Sequence, residues 1–117
     1  MRRKLCRGKE KNVYTYVIDS TEYKVIPVIH KYRSNNALAI DLEELNTCET
    51  FGRITVNLEE SVFLAKDEAF VDTNNLPGVE EFIVDYNLGY PTGIKVASGY
   101  CIYPKYKFYL DKLNEGE

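Results

Sequence analysis

Apolar and polar residues alternate in short bursts along much of this chain, the two-residue period of strands with one buried face. Residues 13–18 and 23–32 are dense in β-branched and aromatic side chains, and the polar Asp19-Ser20-Thr21 between them predicts a hairpin. Pro27 has no amide hydrogen to give a ladder, so its strand belongs at a sheet edge, at a bulge, or with that nitrogen turned to solvent. Arg33-Ser34-Asn35-Asn36 has turn chemistry and leads into residues 37–42, where Leu38, Ile40 and Leu42 alternate with smaller or polar residues. Ile54, Val56 and Leu58 then alternate with Arg53, Thr55 and Asn57. Successive strands joined by short polar turns predict an antiparallel meander.

The period changes once. Val79, Phe82, Ile83 and Tyr86 fall at i, i+3, i+4 and i+7, one apolar stripe of a helix over residues 77–88. Pro77 suits a first helical turn, Asn74 or Asn75 a cap, and Glu80 and Glu81 the positive end of the dipole; Gly89 is expected to end the helix in a left-handed conformation. Residues 59–71 fit a bulged strand or a helical turn, with strand favoured. After the helix, Tyr90-Pro91-Thr92-Gly93 reads as a turn and residues 94–103 as a strand around Gly99 that Pro104 ends. Residues 106–113 read as a short strand or a last helical turn, and 114–117 as a fraying end. The expected fold class is α+β: an antiparallel β-sheet meander packed on one main α-helix, in a single domain.

Composition adds scale. With 117 residues and 44% hydrophobic content, the chain has length for one core and enough apolar side chains to fill it. No run approaches the roughly 20 apolar residues that cross a bilayer, and Cys6, Cys48 and Cys101 form an odd set without a close pair, unlike the disulfide framework of a small secreted domain. The cytoplasm is the expected location. The net charge of −3 is unevenly spread. Arg2, Arg3, Lys4, Arg7, Lys9 and Lys11 outweigh Glu10 in residues 1–11, read as a flexible basic tail before a domain at 12–117. Between positions 41 and 85, twelve acidic residues face only Arg53 and Lys66.

Candidate chemistry is sparse. His30 is the single histidine and reads as a partly exposed strand residue; with the three cysteines it is the only route to a four-ligand metal site, and spacings of tens of residues argue against one. The Gly89 to Gly93 stretch follows a helix and lacks the lysine of a phosphate loop. Asp72-Thr73-Asn74-Asn75 fits a helix cap better than a cation site. Adjacent carboxylates such as Glu59-Glu60, Asp67-Glu68 and Glu80-Glu81 diverge on either element and make no acid–base pair alone. They make either a solvated face or a negative binding surface. Tyr90, Tyr100, Tyr103, Tyr106, Phe108 and Tyr109, with Lys105 and Lys107, read as core packing or as aromatic interface anchors. No catalytic residue, metal or cofactor is expected. The expected partner-binding set is Glu59, Glu60, Asp67, Glu68, Asp72, Glu80, Glu81, Tyr90, Tyr103 and Tyr106, used toward a protein; nucleic acid is the alternative partner, through the basic tail and the Lys/Tyr-rich C-terminal region.

Asp67 to Asn75, Glu80-Glu81-Phe82-Ile83, Gly89 to Gly93 and Ser98-Gly99-Tyr100-Cys101, with Thr55-Val56-Asn57-Leu58 before them, carry a resemblance. The stretch resembles an uncharacterised domain-of-unknown-function family of small bacterial proteins carried on conjugative elements and other mobile DNA. Residues 1–11 depart from that family, and it supplies no catalytic residues to carry over. The resemblance implies a setting in which small acidic proteins bind and block host defence machinery, including CRISPR nucleases and restriction enzymes. A carboxylate-rich surface can compete with nucleic acid for a cationic channel. The resulting expectation is a non-enzymatic inhibitor of a nucleic-acid-processing enzyme.

Overall fold

The computed structural model describes residues 12–115; the basic tail expected at 1–11 lies outside the described residues. The first sheet begins with the expected hairpin. Strands β1 (Tyr14–Ile18) and β2 (Thr21–Lys31) are joined by Asp19 and Ser20, both at positive φ, which matches the right-handed twist of a tight hairpin. β3 (Leu38–Glu44) and β4 (Thr50–Arg53) complete the order β1-β2-β3-β4.

Pro27 shows how the sequence solved its missing donor. β1 stops pairing at Val25, and β9 (Asn114–Glu115) pairs in parallel with Val28 and Ile29. Pro27 therefore sits in the gap between two neighbours on that side, while its carbonyl accepts from Asn114 Nδ2 at 3.0 Å. Asn114, expected to fray, is buried and also bonds the backbone of Asn12 in both directions.

The meander does not continue in one sheet. After β4 the chain bends at the fully buried Ile54 and enters β5 (Thr55–Val56), the edge of a second sheet ordered β5-β6-β8-β7. The alternation from Arg53 to Leu58 was real but spans this switch. Residues 59–71, favoured as strand, divide into a 3-10 turn (Glu59–Phe63) and β6 (Glu68–Val71). β7 (Gly89–Ser98) and β8 (Cys101–Phe108) form a long hairpin around Gly99 and Tyr100. The Tyr90 to Gly93 turn is thus absorbed into β7, where the pairing shifts register between Pro91 and Lys95. Pro104 lies inside β8, opposite Lys95 and one residue before β8 begins to pair with β6.

Helix α1 (Val79–Asp85) is shorter than the stripe suggested, because Gly78 at φ 75° holds the preceding turn outside it. Its C-terminus closes at Asn87, not Gly89. Asn87 takes the left-handed conformation, its N–H bonds Val84 O at 3.0 Å, and Leu88 N–H bonds Ile83 O at 2.9 Å, the double bond of a Schellman ending. Val79, Phe82 and Ile83 enter a core shared with Tyr16, Val25, Leu38, Ile40 and Leu42 of the first sheet and Ala69, Val71, Tyr106 and Phe108 of the second. The architecture is α+β, with two mostly antiparallel sheets and one short helix meeting in one core.

Candidate protein-interaction surface

The ten expected binding residues are not equivalent. Tyr103 and Tyr106 are buried, Tyr106 to 2%, so neither is the exposed anchor expected of it; on β8, Tyr106 enters the core shared with α1, and Tyr103 packs in a separate cluster with Leu58 and Phe70. Tyr106 donates its hydroxyl to Glu80 Oε1 at 2.6 Å. Burial and then that carboxylate hold the phenol well above its usual range. Tyr90 stays exposed, its ring 5.9 Å from that of Tyr109. Asp72 is buried and accepts from the amides of Asn74 and Asn75 at 3.2 and 3.1 Å and from Asn75 Nδ2 at 2.9 Å, which stabilises the turn before α1. Its carboxylate is occupied by the fold.

Two further carboxylates are neutralised across strands. Lys107 Nζ lies 2.8 Å from Asp67 Oδ2, and Lys105 Nζ lies 3.7 Å from Glu68 Oε1. The Lys107 hydrogen bond holds the Asp67 carboxyl below its usual range. A depressed carboxylate contributes stability above its unfolded pKa and loses it as pH falls through the folded one, so this pair fails only at strongly acid pH. In a carboxyl NMR titration the Asp67 midpoint should lie below that of an unpaired aspartate, and Lys107→Met should move it upward. An unchanged midpoint would remove the pair from solution. Glu59, Glu60, Glu80 and Glu81 remain as exposed carboxylates of the expected set.

Glu59 and Glu60 open the 3-10 turn, whose later residues sequence patterning had placed in a strand. The turn is tied down internally. Ser61 is buried, its Oγ accepts from Leu58 N–H at 2.9 Å, and Leu64 N–H returns to Ser61 O. Leu58 and Leu64 pack with Phe70 and Tyr103. Between these anchors Val62 and Phe63 point outward, 58% and 86% exposed. Two apolar side chains on a fixed turn, preceded by two carboxylates, form the most protruding apolar feature of that turn. A strand reading hides it, because alternation would have buried one of the two.

A second feature lies between the first sheet and the helix. Thr15, Tyr16, Val17 and Glu22 on one wall, and Gly78, Glu81, Phe82, Asp85 and Tyr86 on the other, line an open groove of about 650 Å³. No local pattern points to it, since its walls lie some sixty residues apart. Tyr16 and Phe82 stack at 4.7 Å beneath it, and Tyr16 donates to Pro77 O at 2.6 Å.

Among the described residues no group of three or more His, Cys, Asp or Glu side chains that could hold a metal ion is brought together. His30 is partly exposed, with Nε2 3.5 Å from Asp41 Oδ2, and Asp41 also pairs with Arg53. Cys101 is a free cysteine; Cys48 packs against Ile26 and Val28 and is disulfide-bonded, contrary to the expectation of unpaired cysteines, and Cys6 lies outside the described residues. No helix is long and apolar enough to cross a membrane among the described residues.

No curated protein and no solved structure matches the chain. One family model does, over residues 28–116, which takes in the first sheet from Val28 of β2 onward, the whole second sheet, the exposed turn and α1 but not β1. That match spans most of the sequence, and the chain accordingly belongs to the DUF4313 family, a domain of unknown function.

Proposed function

We propose that the protein is a non-enzymatic binding protein of a mobile genetic element, acting in the host cytoplasm, where it inhibits a nucleic-acid-processing defence enzyme of CRISPR or restriction type. The observation that supports this reading is the Glu59–Phe63 turn, where an 86% exposed phenylalanine beside an exposed valine follows two exposed carboxylates. Buried aromatics dominate the holding energy of protein interfaces, and charges at their rim speed encounter with a partner of opposite sign. Phe63 would enter an apolar pocket of the enzyme, and Glu59 and Glu60 would meet cationic groups that otherwise contact phosphates. The setting on mobile DNA rests on the sequence resemblance alone.

Lys105 and Lys107, the cations a direct nucleic-acid reading needs, lie within ion-pair distance of Glu68 and Asp67, which lowers their availability to phosphates. The test begins with affinity capture from a host lysate and a cleavage assay on the captured enzyme. Phe63→Ser should weaken inhibition by about tenfold or more, and Glu59→Lys with Glu60→Lys should slow association in a salt-dependent way. Both variants should melt within a few degrees of the parent, because the altered side chains are exposed. Full inhibition by both would sink the reading. Direct binding of oligonucleotides that fades steeply with salt would favour the accessory alternative.

A further inference from the structure

The groove between β1 and α1 has an unused hydrogen-bonding edge. β1 is the outer strand of its sheet, and Thr15 N–H donates to Tyr86 Oη at 3.2 Å instead of to β2. Backbone groups of successive residues in an antiparallel strand point to opposite sides, so Val17, two residues on from Thr15, also turns its N–H and C=O away from β2. Val17 is exposed and lines the groove. β9 covers the neighbouring stretch of β2, at Val28 and Ile29, and leaves β1 open. Exposed strand edges of this kind pair with extended peptides unless charge, proline or a bulge blocks them, and β1 contains neither a charged residue nor proline.

Charge selects the occupant. Glu22 stands on the strand wall, and Glu81 and Asp85, one helical turn apart, stand on the α1 wall. None of the three has an ion pair among the described residues, in contrast to Asp67 and Glu68. Lys24, on the strand beside this edge, is held by Thr15 Oγ1 at 2.8 Å, and Lys112 Nζ is held by Tyr86 O at 3.3 Å. An added strand would run between these carboxylates, its alternate side chains directed to one wall and then the other.

We propose that this groove binds an extended, arginine- or lysine-bearing peptide segment of a protein partner as an additional strand on β1. Backbone bonds to Val17 supply the register, and Glu22, Glu81 and Asp85 select cationic side chains. The site is independent of the Phe63 turn; its β1 wall lies outside the family match and its α1 wall inside it.

The test uses the full chain and a synthetic capped hexapeptide of alternating arginine and valine. At about 50 mM salt it should shift the amide resonances of Thr15, Val17, Glu81 and Asp85 and slow hydrogen exchange at Val17, and binding should weaken markedly at about 0.5 M. Replacing the valines by proline keeps the charge but removes the peptide's alternate donors, and should weaken binding by about tenfold. Glu22→Gln with Glu81→Gln and Asp85→Asn should weaken the parent peptide similarly, with Phe63-dependent inhibition retained. Equal binding of the proline peptide, or an unprotected Val17, would overturn strand addition. No binding at low salt would overturn the site itself and leave the Phe63 reading standing.

Discussion

Phe82→Ala is expected to lower unfolding free energy by about 3 to 5 kcal/mol, the usual cost of removing a buried aromatic and leaving a cavity. Phe82 is 6% exposed at the middle of α1, with ring centroids at 4.7 Å from Tyr16, 5.4 Å from Tyr86 and 6.2 Å from Tyr14. Those partners belong to β1 and to the end of α1 itself, so the ring joins the helix to the first sheet. A seven-residue helix has too few internal bonds to hold without packing, so the loss should also release α1. Urea denaturation of Phe82→Ala beside Val84→Ala separates the effects. Val84 is exposed on the opposite side and its truncation should change stability by no more than about 0.5 kcal/mol. A change below about 1 kcal/mol for Phe82→Ala would mean that the helix does not dock as described.

The same residue shows why part of the fold was legible in the sequence. Val79, Phe82, Ile83 and Tyr86 form a local pattern, and all four face inward. The first hairpin, with two polar residues at positive φ, is equally local. What local pattern could not convey was partnership across the chain. Alternation from Arg53 to Leu58 looks the same whether the strand stays in one sheet or changes sheets at Ile54. Tyr106 and Tyr90 are both tyrosines in one hairpin, yet one is buried and the other exposed, since Tyr90 pairs with Lys107 and shares its face, while Tyr106, the next residue back, points to the opposite one. The acidic run was visible as composition. Which carboxylates it leaves available depends on Lys105 and Lys107, more than sixty residues from its start and one strand away in space. The Phe63 turn was missed because its residues suited a strand, and the groove because neither wall is a motif.

Gly89 does not end the helix; its constraint is close packing against β8. It is buried, has no left-handed φ, and pairs with Phe108 at the start of β7. A Cβ placed there would stand 2.4 Å from the carbonyl oxygen of Lys107 and 3.1 Å from Cα of Phe108, closer than backbone atoms tolerate. Neither neighbour can rotate away, since both are backbone of a strand held by β6 and β7. Gly89→Ala should therefore push β7 off β8 at the point where the chain leaves α1, and disturb the bond from Tyr109 N–H to Leu88 O at 2.8 Å. The expected cost is about 3 kcal/mol, at the upper end of overpacking substitutions. Replacing Gly93, which has no heavy atom within 4 Å of a built Cβ but sits at φ 93°, tests a different cause. Gly93→Ala should cost about 1 kcal/mol through backbone strain, with β7 and β8 still paired. Amide exchange at the start of β7 distinguishes them: protection there should collapse in Gly89→Ala and persist in Gly93→Ala. Equal, small losses in both would show that β7 and β8 are not packed as closely at this position as the geometry requires.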